Sequence, residues 1–256
     1  MGDFDGRQFS ADDPPGTVRW LDFGADNYAG ITYNNVPEKD GRRIFIGWMN
    51  NWRYAEKTPT APWRGAMTTP RELTLTQEDG RVFLLAQPVS ELTGTRTGGF
   101  RLGNERIDSE KIVREKELSG GVFEITAEWE VRSTAGFGIA LTNECGQEVV
   151  VGLDPAAGRL WIDRSRSGHT DFSKHFPGVH YAPISLKGGR LTAQILVDTC
   201  SVEVFASGGR AVMTDLVFPS APYDQLRLFS RGGPVTVLSL SGWGLGRYRR
   251  HNEGEI

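Results

Sequence analysis

Apolar and polar residues alternate along this chain in short runs, and a period of two is the mark of half-buried β-strands. Residues 43–48 form a compact apolar run after a Gly-Arg turn, and residues 72–76 alternate charged or polar side chains with Leu. Residues 81–85 follow Glu78-Asp79-Gly80, a hairpin-type turn. Further runs occupy 122–131, 137–141, 149–153, 159–162, 191–197, 202–205, 212–217, 226–229 and 235–240, separated by Gly, Pro, Asn and Asp. This succession of short strands and turns predicts an all-β chain built on an antiparallel sandwich or barrel. The pattern yields no long helix. Residues 108–118 fit a charged helix or a solvated strand equally well, and Pro88 to Leu92 reads as one short helical turn.

The texture changes near residues 86–100. Earlier residues are rich in Trp, Asn, Arg and Pro, whereas later ones alternate regularly. Thr93 to Gly99 reads as a linker or wide turn. The expected division is therefore 1–86, a linker at 87–99, and a sandwich at 100–256.

Composition narrows the function classes. Of 256 residues, 32 are Gly, which with 10% aromatics indicates many turns rather than disorder. Net charge is −3 and no basic stripe occurs, so nucleic acid is not an expected partner. The Arg-Tyr-Arg-Arg-His run at 247–251 reads as a solvated tail. No apolar stretch approaches the ~20 residues of a membrane span, and the first residues lack a signal peptide's basic and apolar regions. Two cysteines, Cys145 and Cys200, are too few for a disulfide framework or a zinc site, and both are expected as buried thiols. The four histidines show no metal spacing, so neither metal nor cofactor is expected.

Several segments carry more specific information: Phe4-Asp5-Gly6-Arg7-Gln8-Phe9, Leu21-Asp22-Phe23-Gly24, Ile46-Gly47-Trp48-Met49-Asn50-Asn51-Trp52, Pro62-Trp63-Arg64-Gly65 and Pro70-Arg71-Glu72-Leu73. Farther on stand Val197-Asp198-Thr199-Cys200-Ser201-Val202-Glu203-Val204-Phe205, Met213-Thr214-Asp215 and Phe218-Pro219. In this order the chain resembles the C-terminal part of glycoside hydrolase family 32, which includes invertases, levanases and inulinases. The resemblance implies the last two blades of a five-bladed β-propeller followed by a β-sandwich. It also implies a retaining, exo-acting β-fructosidase acting on levan, inulin or sucrose.

Retaining glycosidases use two carboxyl groups about 5–5.5 Å apart. In the family these come from W-M-N-D-P-N-G and E-C segments, with a further acid in R-D-P. None of the three is expected here: Glu144-Cys145 lies inside the sandwich and reads as a turn, as do Asp13-Pro14 and Asp154-Pro155. The chain alone is therefore expected to be inactive. Alternatively it is a non-catalytic fructan-binding module, or one half of a split enzyme. Two blades leave an apolar face bare, which calls for an N-terminal propeller partner or a homo-oligomer.

The resemblance places Trp48 in the fructosyl pocket, where an indole stacks on a sugar face. Asn50 and Trp52 follow on the same loop. Asp22 and Asp26 are expected to accept hydrogen bonds from fructose hydroxyls, with turn capping as the plainer reading, and Tyr28 fits core or pocket. Arg64, Arg71 and Glu72 are expected in ion pairs or backbone hydrogen bonds, with Arg64 a secondary site candidate. Glu203 beside Phe205 is expected to pair structurally rather than to bind sugar.

Overall fold

The structure is a computed structural model and describes residues 2–247, so the basic run at 247–251 falls outside it after Arg247. Strands Tyr28–Thr32, Arg43–Met49, Arg71–Glu78 and Arg81–Pro88 form one antiparallel sheet in that order, with Ala66–Met67 paired to the second. Its last hairpin turns at Asp79 and Gly80, where φ is 50° and 75°. Two positive φ angles make the turn whose twist matches the flanking strands. Ahead of this sheet lies a two-stranded hairpin, Gly2–Phe4 with Phe9–Ala11. The two expected blades are thus one complete sheet and one hairpin.

The remainder is a sandwich of two six-stranded antiparallel sheets. The first runs Ala211–Leu216, Ser201–Ala206, Arg190–Asp198, Phe123–Glu130, Val235–Leu245, Arg96–Ile107; the second runs Val179–Pro183, Arg159–Arg166, Glu148–Asp154, Gly136–Thr142, Gln225–Arg231, Glu110–Val113. Inward positions of both sheets meet in one core that includes Phe123, Ile125, Trp129, Phe137, Ile139, Val204 and Leu228.

The structure corrects several expectations. Arg96 to Gly99 begin the longest strand, Arg96–Ile107, instead of ending a linker. The Gly98-Gly99 pair is a bulge opposite Trp243, because the register steps from Gly242↔Phe100 to Gly244↔Thr97. The ambiguous 108–118 segment splits into strand Glu110–Val113 and a 3-10 turn, Lys116–Leu118. Cys145 is exposed in a tight turn where Asn143 Oδ1 accepts from the backbone N–H of Cys145 and Gln147; Cys200 is half-buried, and its thiol is pushed up to about 11 by burial.

The blade packs on the outer face of the first sandwich sheet. Leu21, Leu73, Ala86 and Leu92 meet Leu196, Phe205 and Val212. Met49 and Tyr54 meet Phe176, Leu216 and Phe218. Between these clusters residues 23–26 run along strand Ala211–Leu216, with Phe23 N–H donating to Val212 O at 2.8 Å and Asp26 N–H to Thr214 O at 3.0 Å. Gly24 permits this approach, since a Cβ there would lie 2.1 Å from Thr214 O. Gly24→Ala should therefore destabilise the protein by about 1–3 kcal/mol. A urea titration should show an earlier midpoint, and an unchanged midpoint would refute the close-approach argument.

Candidate sugar-binding face and domain junction

Trp48 is the penultimate residue of strand Arg43–Met49, and its register partners are Tyr28 on one side and Met67 on the other. The chain then turns back, and Trp52 folds over the strand end. Ring centroids stand 5.0 Å apart for Trp48–Trp52, 6.3 Å for Tyr28–Trp48 and 6.5 Å for Tyr28–Trp52. Trp52 is 70% and Tyr28 54% exposed, so three aromatic rings form an open cluster. Gly65 lies against the Trp48 indole, where a Cβ would come within 2.8 Å of Nε1. Of the predicted residues, Trp48 and Trp52 are therefore together.

Asn50 is not part of this surface. It is 1% exposed, and its Oδ1 accepts from Asn51 N–H. Asn51 in turn donates to Ala25 O at 2.9 Å, fixing the loop. Arg64 donates to Thr58 O, so it braces a loop.

Asp22 and Asp26 are also absent from the open face, and both lie in the junction with the sandwich. Asp22 accepts from Arg71 Nη1 at 2.7 Å, Thr214 Oγ1 at 2.6 Å, and the N–H groups of Thr214 and Gly24 at 2.9 Å. Arg71 continues to Glu203 at 2.7 Å and Thr214 at 2.6 Å, while Glu203 accepts from Thr69 N–H and Oγ1. The Arg71 side chain is fully buried. Arg71 and Glu203 thus pair as expected in kind, but between blade and sandwich.

Asp26 anchors the second cluster. It accepts from Tyr54 Oη, Leu216 N–H and Arg164 Nη1. Arg164 also donates to Phe176 O at 2.8 Å, Leu216 O at 3.1 Å and Tyr54 Oη at 2.9 Å. Asp215 lies 3.8 Å from Arg164, 2.9 Å from His180 Nδ1, and accepts from Ala25 N–H at 3.0 Å. Sugar recognition needs accessible oxygens, and these carboxylates spend theirs on buried donors.

Sequence reasoning misses Arg164, though a signal exists. Leu160, Ile162 and Arg164 fall on the buried face of one strand, and an arginine in an apolar period needs a partner.

The two aspartates titrate in opposite directions. Burial pushes Asp22 up, but Arg71, Thr214 and the Gly24 amide outweigh it and hold the carboxyl below its usual value. Burial raises Asp26, and Asp215 adds to the rise against the pull of Arg164. A lowered carboxyl stabilises above its unfolded value, about 3.9, and that contribution disappears as pH falls through the folded value. A raised one favours the folded state most at low pH. Asp22→Asn should therefore flatten the acid limb of stability below about pH 4. Urea midpoints from pH 7 to pH 3 check this, and a limb as steep as wild type would refute it.

Two family models match the chain: glycosyl hydrolases family 32 N-terminal domain over residues 1–88, and glycosyl hydrolases family 32 C terminal over residues 91–244. This chain belongs to glycosyl hydrolase family 32. Among curated relatives of this family-32 chain, the levanase of Bacillus subtilis (strain 168) is 38% identical over 94% of this chain and 36% of its own length. The extracellular exo-inulinase of Aspergillus awamori is 34% identical over 91% of this chain and 45% of its own length. The crystal structure of exo-inulinase from A. awamori superposes with a TM-score of 0.86 at 30% identity, covering 97% of this chain and 49% of that one. A β-fructofuranosidase from Schwanniomyces occidentalis, complexed with fructosyl-erythritol, shares the fold with a TM-score of 0.81 at 22% identity, covering 96% of this chain and 52% of that one. The family-32 chain thus spans about half the length of these proteins or less, and its architecture is that of their propeller-plus-sandwich fold.

Proposed function

We propose that these residues form the C-terminal part of a retaining β-fructofuranosidase of the exo-acting levanase or inulinase type. In this reading Tyr28, Trp48 and Trp52 wall the sugar site, and the boundary between propeller and sandwich falls within residues 87–99. The observation that carries it is the aromatic cluster itself, three rings at a strand end of the blade, with Tyr28 and Trp52 mostly exposed and Trp48 half-buried between them. Indole faces bind the C–H face of a sugar ring and exclude water from it.

The nucleophile and the acid/base would be supplied by blades that these residues do not include, since no Asn-Asp-Pro-Asn-Gly or Arg-Asp-Pro occurs in them. Those blades also account for the apolar surface. Twelve of fifteen exposed large hydrophobic side chains among the described residues, including Ile31, Trp20, Met67 and Leu75, precede residue 88. Exposed apolar side chains concentrated in this part of the chain call for a cover.

The test joins this chain to the N-terminal blades of the B. subtilis levanase, by fusion or by mixing, and measures fructose release from levan, inulin and sucrose. Release is expected only from the combination. In the active combination, Trp48→Ala should lower kcat/KM at least tenfold, about 1.4 kcal/mol. Undiminished turnover by both Trp48→Ala and Trp52→Ala would overturn the aromatic wall.

A further inference from the structure

The outer face of the first sandwich sheet is only partly covered by the blade. Beside the docked region a groove of about 310 Å³ opens, bounded by Gln87 of the blade and the Gly208-Gly209 turn. Its floor is a grid set by strand register. Thr126 stands opposite Gln194 and Ser241, and Glu128 stands opposite Thr192 and Ser239. Such cross-strand neighbours lie about 4.5–5.5 Å apart on one face. Ser239 stands two residues from Ser241 in unbroken register and so shares this face.

The groove is backed by a buried charged group. The Glu124 side chain is fully buried and accepts from Arg96 Nε at 2.7 Å, Arg96 Nη2 at 2.5 Å and Gln194 Nε2 at 2.8 Å. The Arg96 guanidinium also lies 4.0 Å over the Trp243 ring. With its amide nitrogen held by Glu124, Gln194 keeps its carbonyl oxygen unengaged among the described residues, and Arg96 keeps Nη1. The hydroxyls of Thr126, Thr192 and Ser239 likewise make no side-chain hydrogen bond to described residues. Glu128 is neutralised by Arg190 at 2.8 Å.

The lining groups offer hydroxyls and one fixed acceptor, the Gln194 carbonyl, with the Glu128 charge paired. Phosphates and nucleic acids need cationic excess, and apolar ligands need an apolar lining. Neighbouring sugar hydroxyls each donate and accept, and match this grid. The volume is at the small end of ligand sites, about 300–1,000 Å³. We infer that the groove is a second carbohydrate site, distinct from the Trp48–Trp52 cluster, taking one or two rings of a neutral oligosaccharide.

The test uses the full chain carrying Trp48→Ala and Trp52→Ala, which strips both indoles from the aromatic cluster. It is titrated calorimetrically with short levan and inulin oligosaccharides and with maltotriose. Saturable binding to at least one probe is expected, weakened at least tenfold by Thr192→Arg, which fills the groove. Gln194→Ala, which changes no buried charge, should weaken it in the same direction. Unchanged melting curves certify folding of both variants. No binding by any probe, or binding indifferent to both substitutions, overturns the assignment. Because both indoles are already replaced, either result holds whether or not the aromatic wall survives its own test.

Discussion

Arg164→Met is expected to lower stability by about 3–5 kcal/mol, the range for removing one partner of a buried charge pair. The guanidinium is fully buried and divides its donors among Asp26 and Tyr54 of the blade and the Phe176 and Leu216 carbonyls of the sandwich. Methionine fills similar volume but leaves Asp26 and Asp215 facing each other without a cation. At about 2–4 °C per kcal/mol for a chain of this size, the melting temperature should fall by roughly 6–20 °C. Lysine would not rescue the loss, because an ammonium cannot reproduce the planar fork that serves four oxygens. Adding Asp26→Asn to Arg164→Met should recover part of the stability, so the pair should be less than additive. A melting point within about 2 °C of wild type for the single variant would show the network to be dispensable.

The second large effect concerns catalysis. The chain by itself should release no fructose from levan, inulin or sucrose above a boiled control, against typical turnover of about 1–10³ s⁻¹. Two carboxyls are needed at a fixed separation across the scissile bond, one of them with room for a sugar. Asp22 and Asp26 precede Tyr28 of the aromatic cluster by six and two positions, yet they are buried and bonded to Arg71 and Arg164. Glu144 lies in a surface turn of the sandwich. Turnover in that range would mean that a carboxylate pair exists among residues whose bonds look purely structural.

Much of this fold is legible in the sequence because strand alternation and turn chemistry act locally. The Asp79-Gly80 turn and the strands on either side follow from adjacent residues. Trp48 and Trp52 are legible as a pair for the same reason, being four positions apart across one turn. Asp22 and Asp26 are not, because their sandwich partners Thr214 and Arg164 stand 192 and 138 positions away. An aspartate beside a glycine looks the same whether it caps a turn, binds a sugar or clamps an arginine. Strand Val179–Pro183 is hidden by its brevity and its final Pro, and the start of Arg96–Ile107 by a Gly pair that suits a linker as well as a bulge.

The junction also bears on how such genes can be recombined. The sequence between the two family matches, at residues 89 and 90, is an inviting breakpoint for exchanging propellers and sandwiches between relatives. Yet Asp22, Asp26, Tyr54 and Arg71 lie before it, and Arg164, Glu203, Thr214 and Asp215 after it. A chimera joined there inherits half of each charge cluster from each parent. It will fold only where the incoming sandwich brings matching acids and an arginine at those depths. The two modules are separate in sequence but heritable as a unit.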